Sequence, residues 1–169
     1  MTRRLFVWAA IIALFLDQVT KIAVYGLVET GAPVRLIGDF LRVWRTGNEH
    51  GIFGISFGHR FIHIGLQAAG AVLVTFLGLK NRDRFSAVAY GMVLGGAVGN
   101  LVDRVWLGSV IDFIDMGVRG WRWYTYNLAD TFVICGIILL LAREFIFRPR
   151  PAPPAPQSPP VPEIDNRQS

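Results

Sequence analysis

Apolar residues in this chain gather in four long runs, at about Leu5–Tyr25, Phe61–Leu79, Ser86–Leu107 and Tyr126–Phe147. Crossing about 30 Å of hydrocarbon takes roughly 20 helical residues, and each run is of that order. A helix is the required form, because inside lipid every backbone N–H and C=O must be paired within its own segment. The pattern therefore predicts an all-α membrane protein with four transmembrane helices. Only the polar loop Lys80–Phe85 separates the second run from the third, so those two are expected as antiparallel neighbours. The first run follows Met1–Arg4 and has the outline of a secretory signal. It continues through Leu16 into Asp17, Gln18 and Lys21 without a small-x-small cleavage site, so it reads as a retained first span.

The stretches between the runs differ in kind. Gly26–Arg60 is too long for a bare connector. It holds Pro33–Ile37, Phe40–Trp44 and Gly51–Ile55, short β-prone segments broken by glycine. They predict a small strand-rich extracytoplasmic cap over about 26–60. The second outer loop, Gly108–Thr125, carries Trp121, Trp123 and Tyr124, aromatics suited to a membrane interface. From Arg148 the chain is a Pro-rich tail that cannot build a core. The expected organisation is a transmembrane domain over 1–147 and a disordered cytoplasmic tail over 148–169. Arg3 and Arg4, then Lys80, Arg82 and Arg84, then Arg143, Arg148 and Arg150 fall on one side of an even number of spans. By the positive-inside rule that side is the cytoplasm.

Composition narrows the class further. A mean hydropathy of +0.44 with 17% charged residues is unusual for a soluble domain. The net charge of +5 comes mainly from arginines, many of which flank the apolar runs. That distribution suits anionic lipid headgroups and not a nucleic-acid surface. Cys135 stands alone in an apolar run and reads as a small buried apolar residue.

Polar residues inside membrane helices are costly, so each one is a functional candidate. Here they share one depth. Asp17 and Lys21 lie in the outward half of the first span. Asn100, Asp103 and Arg104 lie in the last two turns of the third. Asn127 and Asp130 lie in the first turn of the fourth, and Asp112 follows the third span in the outer loop. Asp17 and Lys21 are one turn apart on one face, which favours an orienting ion pair over catalysis. Asp103 and Arg104 read mainly as scaffolding. Gly91, Gly95 and Gly99 recur every four residues and predict a seam where another helix approaches closely. Asp112 and Asp130 come from separate segments that end at the same interface. Spacing leaves a working carboxylate pair and a structural one equally open. Were the two adjacent, one would hold a proton while the other stayed an anion, which is the acid and base needed for hydrolysis by water.

These residues also match a known family. Asp17-Gln18-Val19-Thr20-Lys21, the run Gly95–Arg104, the run Gly108–Ile114 and the run Tyr126–Asp130 resemble, in order and spacing, the motifs of the lipoprotein signal peptidases (signal peptidase II). Asn48 with Gly51 and Phe53 is similar to that family's outer-loop motif. The resemblance implies a four-span aspartic endopeptidase of the bacterial inner membrane. Its termini would be cytoplasmic and its active site at the outer face. It would remove the signal peptide from prolipoproteins, cutting before a cysteine that bears a diacylglyceryl group. By position, Asp112 and Asp130 would be the catalytic dyad, with Asn48, Gly51, Asn100, Arg104, Asn127, Asp17 and Lys21 in support. The resemblance further implies no cofactor or metal and inhibition by globomycin-type cyclic peptides. The chain departs from the family at His50, where glycine usually stands two residues after the motif asparagine. The dipole of a helix start would favour the anion at Asp130, which suggests Asp130 as base and Asp112 as acid.

Three rivals compete with this reading. His59 and His63, with His50, would be the ligands of a metal enzyme, but HExxH is lacking. Lys21 with Ser56 or Ser109 would make a serine–lysine peptidase, which Asp17 opposes by keeping Lys21 charged. A proton-coupled transporter would need polar groups through the midplane, and an assembly factor would need no carboxylate pair.

Overall fold

The computed structural model describes residues 1–48 and 60–146. Among these, the chain forms helix α1 (Thr2–Leu27), strands β1 (Val34–Ile37) and β2 (Leu41–Asn48), helices α2 (Arg60–Lys80) and α3 (Arg84–Trp106), strands β3 (Val110–Val118) and β4 (Trp121–Arg122), and helix α4 (Leu128–Phe145). The four predicted helices are thus present. By length and composition, α1, Phe61–Lys80 within α2, and α3 can each cross a membrane. The 18 residues of α4 carry Asp130, Arg143 and Glu144 towards their ends.

Local chemistry marks the helix boundaries. Asp83 caps α3 by accepting from the Ser86 N–H at 2.8 Å. Asn127 caps α4 in a reciprocal box. Its side chain accepts from Asp130 N at 3.0 Å, and the Asp130 carboxylate accepts from Asn127 N at 3.3 Å.

Helix α3 is central and packs against α1, α2 and α4. The reason is its row of glycines. A Cβ on Gly91 would stand 2.5 Å from the Phe6 carbonyl oxygen, and one on Gly95 would stand 2.5 Å from that of Ala10. Gly136 of α4 meets α3 in the same manner, 2.8 Å from the Ala89 carbonyl oxygen. Backbones approach where side chains are absent, as the four-residue spacing predicts. Large apolar residues point outward instead, among them Trp8, Phe15 and Ile22 of α1, Val72 and Phe76 of α2, and Ile138 and Leu141 of α4. An apolar exterior of this kind suits lipid.

One end of the bundle is covered by a four-stranded antiparallel sheet in the order β1-β2-β3-β4. The first two β-prone segments form β1 and β2 as expected. The third, Gly51–Ile55, lies outside the described residues, as do Gly51, His50 and the Pro-rich tail. The sheet also draws on the second outer loop: two of its four strands come from residues 110–122. Its alternation is obscured because β3 is buried on both faces, with Asp112 and Phe113 both inside. Arg119 (φ 50°) and Gly120 (φ 85°) make the two-residue turn between β3 and β4, and left-handed geometry at both positions matches the strand twist there.

Candidate active site

The site forms where the sheet meets the helix ends. Register decides who meets whom: Thr46 of β2 stands opposite Asp112 of β3, and Asn48 stands opposite Val110. Asn48 Nδ2 donates to Asp112 Oδ2 at 2.8 Å. Asn127 Nδ2 donates to the other oxygen, Asp112 Oδ1, at 2.7 Å, and to Asn100 Oδ1 at 3.0 Å. Asn100 Nδ2 in turn donates to Asp130 Oδ1 at 2.8 Å. Two carboxylates from different segments are therefore joined through the amides of Asn127 and Asn100.

A second layer holds these amides. Lys21 Nζ bonds Asp17 Oδ2 at 2.8 Å, Asp103 Oδ2 at 2.8 Å and Asn100 Oδ1 at 2.9 Å. An ammonium has three N–H bonds, so all are committed. Asp17 Oδ1 accepts from Ala129 N at 2.9 Å, satisfying an open N–H in the first turn of α4. Asp103 Oδ2 accepts from Ile111 N at 3.3 Å and so ties α3 to the residue before Asp112. Gln18 Nε2 links Asp17 and Asp103, at 3.2 Å from each. Asp17 and Lys21 are 0% and 1% exposed. Charges so deeply buried persist only when paired and hydrogen-bonded. Among the described residues no buried side-chain nitrogen or oxygen lacks a partner.

Asp112 and Asp130 open into one cavity of about 320 Å³. Asn48, Asn100, Arg104 and Gln67 supply its polar wall, and Met116, Trp123, Tyr126, Val133 and Ile134 supply much of its apolar one. The Asp112 carboxyl is pushed up to about 7, chiefly by burial and next by the charge of Asp130. The Asn48 and Asn127 amides and Lys21 pull it the other way without prevailing. At neutral pH this carboxyl therefore holds a proton much of the time.

Of the supporting residues expected from sequence, Asp17, Lys21, Asn48, Asn100, Arg104 and Asn127 all lie in or directly behind this cavity. Of the rival constellations, the pair of Lys21 with Ser109 does not assemble. Lys21 is fully engaged elsewhere, and Ser109 lines a separate cavity with Tyr25, Thr30 and Arg45. Ser56, His50 and His59 lie outside the described residues. Sequence reading missed Gln67, whose Oε1 accepts from Arg104 Nη1 at 3.0 Å. The available signal was an amide midway along an otherwise apolar run. It also missed Asp115, 1% exposed, which pairs with Arg42 and Arg122 at 2.6 Å each across the sheet. That cluster follows from the register Arg42↔Asp115, which no local pattern reveals.

A bundle of apolar helices with a sheet over one end and a carboxylate-bearing cavity beneath it defines an integral membrane enzyme. Solved structures share the architecture: a bacterial membrane enzyme determined in meso at 2.3 Å is 26% identical, with a TM-score of 0.76 over 86% of this chain and 92% of that one. The family profile described as Signal peptidase (SPase) II matches residues 9–146, and the chain belongs to that family; it is a peptidase. Similar relatives include the lipoprotein signal peptidase of Methylobacterium radiotolerans, 35% identical over 79% of this chain and 81% of the relative. That of Serratia marcescens is 34% identical over 77% of this chain and 78% of its own length. That of Rhodococcus jostii is 38% identical over 84% and 72% respectively.

Proposed function

We propose that this peptidase is an aspartic endopeptidase that removes signal peptides from diacylglyceryl-modified prolipoproteins, cutting before the lipidated cysteine. The observation that carries the reading is that Asp112 and Asp130 line one cavity and are linked through Asn127 and Asn100. Asp130 takes a proton from a water molecule, and the water oxygen attacks the scissile carbonyl carbon. Asp112 gives its proton to the carbonyl oxygen. The proton on Asp130 then passes to the leaving nitrogen as the C–N bond breaks, and the Asp112 carboxylate takes back a proton from a hydroxyl of the intermediate as the C=O bond re-forms. Two features support Asp112 as the acid and Asp130 as the base: the raised Asp112 carboxyl and the place of Asp130 at a helix start. Asn48, Asn100 and Asn127 orient the carboxylates, the Asp17–Lys21–Asp103 cluster orients the amides, and Arg104 faces the substrate. The apolar wall suits a signal peptide and its lipid.

In this reading all four helices span the bacterial inner membrane, both termini are cytoplasmic, and the sheet and cavity lie at the outer face. Gly51 is counted among the supporting residues by its motif position alone, and residues 148–169 are assigned to a tail outside the catalytic domain by composition alone. The reaction needs no metal or cofactor, and a globomycin-type cyclic peptide competes for the cavity. The test is cleavage of a diacylglyceryl-modified prolipoprotein in detergent. Asp112→Asn and Asp130→Asn each lose at least about a thousandfold in kcat while staying folded. Wild-type activity is indifferent to a chelator and is abolished by globomycin. Full activity in either mutant removes the dyad, and chelator sensitivity revives a metal mechanism.

A further inference from the structure

Gln67 sits in an otherwise apolar stretch of α2 and lines the cavity with both aspartates. A guanidinium only donates hydrogen bonds. The bond from Arg104 Nη1 to Gln67 Oε1 therefore sets the orientation of the amide, with its oxygen committed and its NH₂ group turned away from Arg104. Gln67 Nε2 has no partner among the described residues. It is not a sealed, unsatisfied nitrogen either, since none of those occurs there. It is a donor that the cavity can reach. About two turns further along α2, the hydroxyl of Thr75 is spent on its own helix, at 2.8 Å from the Ala71 carbonyl oxygen. Across the cavity, α4 contributes Thr131, Val133, Ile134 and Cys135.

We propose that Gln67 is a specificity-determining residue that donates from Nε2 to a carbonyl oxygen of the bound substrate while its Oε1 holds the Arg104 guanidinium in place. The inference rests on the peptidase reading above and names what one wall of that site recognises. A carbonyl that leaves water for an apolar cavity loses its hydrogen bonds unless a donor replaces them. Gln67 supplies one from the helix facing α4. The acceptor is a peptide carbonyl of the signal segment or an ester carbonyl of the diacylglyceryl group, which offer the same chemistry.

The bland role, bracing Arg104, makes a different prediction from the donor role. Gln67→Glu keeps an acceptor for Arg104 and loses the donor; Gln67→Leu loses both. Steady-state cleavage of a diacylglyceryl-modified prolipoprotein in detergent is measured at pH 8 for wild type and both variants. Melting curves establish that each variant is folded. The expected result is a KM raised about tenfold in both variants with kcat within about threefold, the scale of one lost hydrogen bond. Lowering the pH narrows the gap for Gln67→Glu, because the protonated acid regains a donor. A wild-type KM for Gln67→Glu at pH 8, or a loss confined to kcat, overturns the proposal. A substrate with ether-linked chains locates the acceptor: a KM penalty that vanishes with it assigns the ester, and one that persists assigns the peptide. Wild-type cleavage that needs both aspartates leaves the peptidase reading standing whatever Gln67 does. A wild type that cleaves no such substrate overturns both.

Discussion

The two ends of the bundle are held together by different physics. At the end away from the sheet, α3 meets its neighbours through Gly91, Ala87, Ala89 and Gly95, with Phe6 and Ala13 buried against them. No buried charge holds those contacts, and fit governs them. At the sheet end the buried groups are Asp17, Lys21, Asn100, Asp103, Asp112 and Asn127, each tied to a named partner. Shape matters less there than the count of donors and acceptors. A membrane bundle can be built by packing alone. The costly polar layer is confined to the end that carries the candidate site.

The contrast is broken most severely at Lys21. Lys21→Met leaves Asp17 and Asp103 facing each other without their shared cation. The expected loss is about 3–5 kcal/mol of stability, together with activity, read by denaturant unfolding in detergent. Methionine is nearly the right size, so an unchanged midpoint would mean that packing governs this end too.

At the other end the expected offender is a single methyl group. Gly95→Ala drives a Cβ against the Ala10 carbonyl oxygen, which cannot turn away as a side chain would. A cost of about 2 kcal/mol is expected. Gly70 of α2 has open space around its Cβ position, so Gly70→Ala leaves the melting temperature unchanged or higher. Equal losses for the two would dismiss the seam.

Acidity sharpens the comparison, since the sheet end titrates. The folded chain holds the Asp112 proton up to about 7, well above the ordinary carboxyl value of 3.8. Between those values the folded state binds more protons than the unfolded one, so this group's contribution to stability falls as pH rises through the window and levels off above it. Its slope is at most about 1.4 kcal/mol per pH unit. Asp112→Asn is expected to flatten that part of the profile in thermal melts from pH 4 to 8. With Asp112 as the proposed general acid, wild-type kcat/KM is expected to decline above about pH 7. The smallest effect is expected at Arg35, whose pair with Asp39 at 3.1 Å lies open to solvent. Arg35→Ala should shift stability by less than about 0.5 kcal/mol.

Much of this was legible in the chain. Four apolar runs predicted four helices, and four-residue glycine spacing predicted the central α3, because membrane burial and close approach leave periodic marks. The common depth of Asp17, Asn100, Asp130 and their neighbours predicted one polar layer, since lipid tolerates such groups only together. Asp17–Lys21 was legible as a pair because one helical turn separates the two residues. Gln67 was visible as an odd amide, but its partner Arg104 was not, because side-chain contacts between helices depend on rotation about their axes. The sheet's second half escaped notice because a strand buried on both faces shows no alternation.

The sequence by itself determined the solvent, the number of helices, the depth of the polar layer and the family, all of which follow from local pattern and ordered motifs. Only the tertiary structure decided that Asn127 and Asn100 join Asp112 to Asp130, that Lys21 serves Asp103 as well as Asp17, and that Arg42 and Arg122 share Asp115. Those pairings depend on strand register and on how helices are turned against one another. Both are set by the packing of the whole chain and not by any segment of it.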